Sequence, residues 1–435
     1  MIWARLLYSF LLGTARFVAP IIAIGSGKIS RGFKGTLVAH EVLEQWGEEK
    51  RDVHRPTVWF HAPSVGESIQ AWAVINAFKA RVPSVQVVFT HFSPSAAEFV
   101  SKMPVEVSAY LPWDLRKIID RVLGALQPDL LVFSKTEVWP VLVAEAQKRS
   151  VPIALLGGSV PPNARRLRQP TRTLLTSTWE SLAAACAIAN VDANGLQRLG
   201  VFREVISVTG DPAVDVAARR AAAADPTATH LAPFHSDPRP TVIAGSTWNA
   251  DMRRLRVALE MIREVVHDAR VVIAPHEPTE RSVTKIREWL EKRSWSTQTL
   301  KEVELTNSVA GIDAIILDRV GVLSDLYTIG HVAYVGGGFN RAGVHSVIEP
   351  AAARLPVIFG PQYKNSSAAI GLLEQRVARV VMDAEDLADS VLGWLENSQE
   401  RAHAGNRGFG YIQAQRGAAE RTVDALAHLL RSKML

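Results

Sequence analysis

Short, nearly continuous apolar runs alternate along most of this chain with longer stretches whose apolar positions recur at helical spacing. In the first half the runs fall at 58–62, 85–90, 130–134 and 153–156; in the second they fall at 241–244, 270–274, 314–317, 331–335 and 357–359. Their brevity suits strands buried on both faces, and each is followed by a helix candidate. That rhythm is the mark of βαβ units, so it predicts two α/β domains with parallel sheets. Residues 217–240 break it with an alanine run, then DPTATHLAPFHSDPRP with Pro226, Pro233, Pro238 and Pro240. They read as a linker between domains at 36–216 and 241–400, and 401–435 reads as a C-terminal helix. Two open parallel sheets facing each other would form a cleft at the C-terminal ends of their strands, where such folds bind ligands.

Residues 1–35 have a different pattern. MIWARLLYSFLLGTARFVAPIIAIGSGKISRGFKG is apolar through 6–24 but interrupted by Arg16, a poor transmembrane span. At the helical period Arg5 and Arg16 share nearly one face, with Leu and Phe filling much of the rest, and Lys28, Arg31 and Lys34 follow. The pattern fits an amphipathic helix lying in a membrane interface, a monotopic anchor on the cytoplasmic face. Competing readings are a signal peptide, which lacks a convincing small-residue cleavage site, a helix docking a partner, and a single membrane span.

Composition narrows the partners. A chain of 435 residues with 48% hydrophobic content can fill the cores of two or three domains, and a net charge of +6 with pI near 9.4 suits anionic partners. Nucleic acid is not expected, because no block of like charge or aromatic–basic interleaving occurs. One cysteine, Cys186 in an apolar run, excludes an intrachain disulfide and a CxxC site. No HExxH or clustered Asp/His spacing is present, so no metal site is expected. Neither a GxSxG elbow nor a Walker loop occurs, against serine hydrolases and nucleoside triphosphatases.

Candidate chemistry lies directly after the predicted strands. The richest stretch is YVGGGFNRAGVHSVIEPAAARLPVIFGPQYKN (334–365), where Gly336, Gly337 and Gly338 permit close backbone approach to a ligand. A helix starting near Gly343 or Val344 would turn its free amides toward an anion, and Glu349 is placed to accept from ribose hydroxyls. The alternative is a tight turn and a solvated glutamate. In WFHAPSVGES (59–68), Glu67 stands where a loop becomes a helix, as a general base or as a carboxylate favouring the helix dipole. His61 is a site residue or a satisfied strand-end histidine. SKTEVWP (134–140) puts Lys135 and Glu137 at a strand exit, suited to an anionic group and to hydroxyls, or to a solvated ion pair. Ser246 and Thr247 of GSTW would hold a phosphate or cap a helix. His276, in APHEPTER (274–281), makes a phosphate or carboxylate contact plausible there. The arginines of NARRLRQPTR (163–172) meet an anionic acceptor or belong to a solvated loop.

In this order the motifs resemble the 3-deoxy-D-manno-octulosonic acid (Kdo) transferases of lipopolysaccharide synthesis. The likeness runs through the apolar N-terminus, HAPSVGES, YLPWD, TEVWP, VTGDPAVD, AGSTW, APHEP, YVGGGF, GVHSVIEPAA and IFGPQYKN. It implies a GT-B fold of two Rossmann-like domains behind the anchor, and inverting, metal-independent transfer of Kdo from CMP-Kdo to a lipid A precursor at the inner membrane, with no further cofactor. By motif it implies Glu67 as the base that deprotonates the acceptor hydroxyl and Glu137 as a second glutamate. Lys135 stands where many members carry Glu. Ser246, Thr247, His276, Gly336, Gly337, Gly338, His345, Ser346, Glu349 and Asn365 fall on the nucleotide side, with Glu349 the ribose contact. The runners-up are a GT-B transferase using a UDP-sugar and a sugar-nucleotide epimerase of the same architecture.

Overall fold

A computed structural model describes residues 2–24, 27–162 and 164–431, in two compact units. One runs to Asp215 and takes back the chain from Gly417; the other is Val216–Arg416. The first holds strands β1 (Thr57–His61), β2 (Gln86–His91), β3 (Val107–Tyr110), β4 (Leu130–Ser134), β5 (Ile153–Gly158), β6 (Ala184–Ala187) and β7 (Ile206–Val208), in the order β3-β2-β1-β4-β5-β6-β7. The second holds β8 (Thr241–Thr247), β9 (Arg270–Pro275), β10 (Thr297–Thr299), β11 (Ala314–Ile316), β12 (Val332–Val335), β13 (Val357–Phe359) and β14 (Ala378–Val380), in the order β10-β11-β9-β8-β12-β13-β14. All pairings are parallel.

A parallel strand needs a crossover to reach its neighbour, and those crossovers cover both faces with helices. The central strands therefore carry no exposed face: β1, β2, β4 and β5 are buried at every residue. In the second sheet Val242 and Ala244 enter one core with Met252, Leu255 and Trp394, while Ile243, between them, enters the opposite core with Leu300 and Tyr327. Each sheet changes its winding direction once, between β1 and β4 and between β8 and β12. At such a switch point the flanking loops depart to opposite sides and leave a crevice at the carboxyl ends of the strands.

The expected linker is largely built into structure. Ala217 to Ala223 complete the helix Ala213–Ala223, because an alanine run is a strong helix former, and Ala232–Ser236 forms a further short helix. The tail is two helices, not one. Ser398–Gln415 belongs to the second unit, Gly417 turns at φ +84°, and Ala418–Arg431 returns to the first unit. There Asp215 accepts from the amides of Gly417 (2.7 Å) and Ala419 (2.8 Å), caps no local pattern could assign. The strands missed in the sequence, β3, β6, β7, β10 and β14, are three or four residues long.

At the N-terminus the helices Ile2–Ala23 and Lys28–Glu49 pack together, and the second also packs on β3. Tyr8 donates to Asp114 (2.9 Å), whose buried carboxylate also accepts from the amides of Val141 and Leu142. Phe17, Ile21 and Ile24, spaced for one helical face, are 85%, 67% and 81% exposed. None of the described helices is long and apolar enough to cross a membrane. Arg5 and Lys28 have side chains outside the described residues, as does all of Asn163.

Candidate active site

In the first unit the switch point gathers the charged residues. Parallel pairing sets His61 of β1 beside Phe133 of β4, so the loops after both strands leave from neighbouring positions. The loop after β1 leads into the helix Val65–Arg81 with Glu67 in its first turn; Lys135 leaves β4 at φ +55°, a left-handed conformation unusual for a side-chain-bearing residue. Lys135 Nζ meets Glu67 Oε1 at 3.0 Å. Ser64 and Glu67 have the spacing of a capping box, yet the Ser64 side chain caps no amide, and its hydroxyl instead donates to the Glu67 carboxylate. Glu67 is thus aimed across the crevice at Lys135.

Burial by itself would raise the Glu67 carboxyl, but the Lys135 charge and the Ser64 hydroxyl outweigh it and hold the group below the ordinary carboxylate range. Burial would likewise lower Lys135, and Glu67 outweighs it and raises the ammonium. Both groups are ionised at neutral pH. Asp211, near enough to feel Lys135, lies in the same network: Gln70 Nε2 and the Ala213 amide donate to its carboxylate at 2.8 and 2.9 Å. Gly157 (φ +56°) makes room for that glutamine, since a Cβ there would stand 3.0 Å from Gln70 Oε1.

Glu137 sits elsewhere in this loop, paired with Arg166 at 2.5 Å. One arginine of the basic segment is therefore engaged, while Arg165, Arg168 and Arg172 are exposed. His61 is fully buried, with Nδ1 3.1 Å from both the carbonyl and the hydroxyl of Thr90; burial depresses its pKa to about 3, so it is a neutral core histidine.

The second unit builds its site in the same way at the β8/β12 switch. Val335 of β12 pairs with Gly245 of β8, which aligns the glycines with GSTW. Ser246 takes φ +54°, and its carbonyl oxygen would lie 2.3 Å from a Cβ on Gly336. A Cβ on Gly338 would stand 2.4 Å from the Gly360 nitrogen. These two glycines let backbone approach backbone, where the sequence suggested approach to a ligand. Gly337, at φ +93°, donates its amide to Asp251 Oδ2 at 3.0 Å. Asp251 is fully buried and also accepts from the Tyr334 hydroxyl (2.8 Å) and the Trp248 amide (2.8 Å), so one carboxylate ties the strand, the glycine turn and the start of the helix Asn249–Val265 together.

No helix begins at Gly343 or Val344; it spans Ile348–Ala352. Gly343 at φ +88° leaves the helical region, and the next amides bond sideways, Val344 to the Gln362 carbonyl (2.8 Å) and His345 to the Gly336 carbonyl (3.0 Å). Asn365 holds this loop by donating Nδ2 to the Val344 carbonyl at 3.0 Å. Ser346 is exposed. Glu349 is raised by burial against the pull of Arg220, which stands 3.8 Å away. His276 receives its position from a backbone bond to the Thr247 carbonyl (2.9 Å) and stacks on Trp248 at 4.3 Å and His345 at 4.5 Å between ring centres. Ser246, Thr247, His276, the glycines, His345 and Asn365 are thereby brought together around one turn.

Ser64, Gln70, Asp211, Trp248, Asp251 and Arg220 were not singled out in the sequence as site residues. Asp211 and Asp251 each stand shortly after a strand, ahead of a helix or in its first turn, which is the one local signal they carry.

Residues 40–216 match the family model described as 3-deoxy-D-manno-octulosonic-acid transferase. A 3-deoxy-D-manno-octulosonic acid transferase of Haemophilus influenzae is 26% identical over 373 residues, covering 85% of this chain and 86% of the relative. One from Chlamydophila psittaci is 26% identical over 423 residues, covering 96% and 93%. By sequence the chain is similar to the Kdo transferases over most of its length. It is a glycosyltransferase with the GT-B-like architecture of two parallel seven-stranded sheets. Among solved structures, a putative UDP-N-acetylglucosamine 2-epimerase of Listeria monocytogenes superposes with a TM-score of 0.62 at 12% identity, covering 87% of this chain and 98% of its own. The UDP-GlcNAc 2-epimerase of Neisseria meningitidis gives 0.61 at 12%, covering 86% and 100%. At such identity the likeness is one of fold.

The Glu67–Lys135 pair makes a signed prediction for this transferase. Lys135→Met removes the charge that lowers Glu67 and leaves the burial that raises it. The acid limb of the pH–rate profile then moves to higher pH than in the wild type, and an unmoved limb would show that Glu67 does not control it.

Proposed function

We propose that this protein transfers Kdo from CMP-Kdo to a hydroxyl of a lipid A precursor, with inversion and without a metal ion. The observation that carries the mechanism is Glu67, ionised and held at 3.0 Å from Lys135 at the sheet's switch point. Glu67 takes the proton of the acceptor hydroxyl as its oxygen bonds to the anomeric carbon; the bond from that carbon to the phosphate oxygen breaks, and CMP leaves with the electron pair. A carboxylate paired to an ammonium is a weak base, so Lys135 must loosen its hold as the reaction begins. The carboxylate of the sugar acid is a fitting new partner for that ammonium. In the second unit the Gly336–Gly338 turn, His276 and His345 are assigned to the nucleotide phosphate, and Glu349 to the ribose. Glu349, whose carboxyl is raised by burial against the pull of Arg220, is placed to share hydrogen bonds with the ribose hydroxyls.

The exposed Phe17, Ile21 and Ile24 support a place at the cytoplasmic face of the inner membrane, with the N-terminal helix lying in the interface. A lipid-linked acceptor stays in the bilayer, so its transferase must come to it.

Mass spectrometry of products from CMP-Kdo and a lipid A precursor tests the reaction directly. Glu67→Gln, which keeps shape and loses the base, is expected to slow transfer about 10²- to 10⁴-fold; wild-type turnover would refute the assignment. In thermal unfolding CMP should raise the Tm, since ligand at about 100 times its Kd stabilises by about 2.7 kcal/mol. Protection by UDP and none by CMP would favour a UDP-sugar donor. Substituting Phe17 and Ile21 together by Ser should weaken binding to phosphatidylglycerol vesicles by at least about tenfold, given the 1.5–3 kcal/mol of burying each such side chain. Equal vesicle binding would reject the anchor.

A further inference from the structure

The family resemblance leaves Trp248 without a task, yet it touches two of the histidines. Trp248 follows β8 directly, its backbone amide is held by Asp251 (2.8 Å), and the residue is 38% exposed. Nε1 of its indole lies 2.7 Å from Nε2 of His345. The stack Trp248–His276–His345 keeps the three rings nearly parallel, with 18° between the first pair and 21° between the second. An indole N–H only donates. Nε2 of His345 must therefore present a lone pair, and in a neutral imidazole the proton then resides on Nδ1.

His345 is neutral across the physiological range, because burial, aided by His276, depresses its pKa to about 4. Its backbone is fixed as well: the amide donates to the Gly336 carbonyl (3.0 Å), and the ring lies against Gly337, whose added Cβ would stand 3.0 Å from His345 Cδ2. Among the described residues Nδ1 has no protein hydrogen-bond partner. The result is one N–H of fixed position at the edge of the glycine turn, free to donate outward.

We propose that Trp248 is a positioning residue that locks His345 in its Nδ1–H tautomer, so that this N–H donates to a phosphate oxygen of the bound nucleoside monophosphate. The second half of this statement rests on the nucleotide reading above; the first is a property of the free protein. A neutral donor in a fixed tautomer suits a leaving group whose negative charge grows as its bond to the sugar breaks, because it needs no change in its own protonation. Isolated imidazole favours the opposite tautomer, so the hydrogen bond from Trp248 has a visible consequence.

The test uses full-length protein labelled with ¹⁵N at histidine. At pH 7 the free wild type should show His345 with Nδ1 protonated and Nε2 bare; the reverse pattern would overturn the proposal. Trp248→Phe keeps the stack and removes the donor, and His345 should revert toward the Nε2–H form, whereas an unchanged spectrum would overturn it. By calorimetry, Trp248→Phe should weaken CMP binding about tenfold, the scale of one lost hydrogen bond to a charged group, and leave cytidine binding unchanged. Equal loss for CMP and cytidine would make Trp248 a mere packing residue and reject the proposal. Failure of the wild type to bind CMP would sink the donor assignment, while the tautomer measurement in the free protein would still decide the role of Trp248.

Discussion

Both units depend on one constraint, the need of a parallel strand to be reached by a crossover that leaves and returns on a face of the sheet. With helices on both faces, the only backbone free to receive a ligand is at the strand ends, and the only gap between the loops is where winding reverses. The candidate site residues gather around the two reversals, β1/β4 and β8/β12. Lys135 and Ser246 stand at these strand ends in left-handed conformations, at φ +55° and +54°. Such conformations cost of order 1–3 kcal/mol in side-chain-bearing residues and persist where the surroundings over-determine them.

The two sites are held differently. In the first unit a net of charges does the work: Glu67, Lys135 and Asp211 each oppose the desolvation of another, so removal of one member leaves the others buried and unbalanced. The second is held by backbone, with one carboxylate, Asp251, receiving three donors and two glycines allowing main chain to meet main chain. A charge network can rearrange when an anionic substrate arrives, whereas a backbone cradle is pre-formed.

Local signals fared well where burial is all-or-none. The runs at 130–134 and 357–359 coincide with β4 and β13, because a strand covered on both faces is apolar at every position and ends where the burial ends. They fared worse where the outcome depends on distant partners. The start of the helix at Ile348 and the engagement of Glu137 by Arg166 are set by chain far away in sequence, as is the return of Ala418–Arg431 onto Asp215. Alanine content, read as the start of a linker at 217–240, instead continues the helix that begins at Ala213 as far as Ala223, through its own helix propensity.

The sequence alone determined that there would be two parallel α/β units, and that Glu67, Lys135 and the glycine turn would lie at strand exits, since periodicity and strand-end position are local properties of the chain. Through the order of its motifs it also carried the resemblance to the Kdo transferases. Only the tertiary structure decided which of those residues meet. It joined Glu67 to Lys135 across the crevice, turned Gly336 and Gly338 toward protein backbone, and put the indole of Trp248 against His345. These are contacts between segments tens of residues apart. Their geometry follows from strand order and register, which no window of sequence contains.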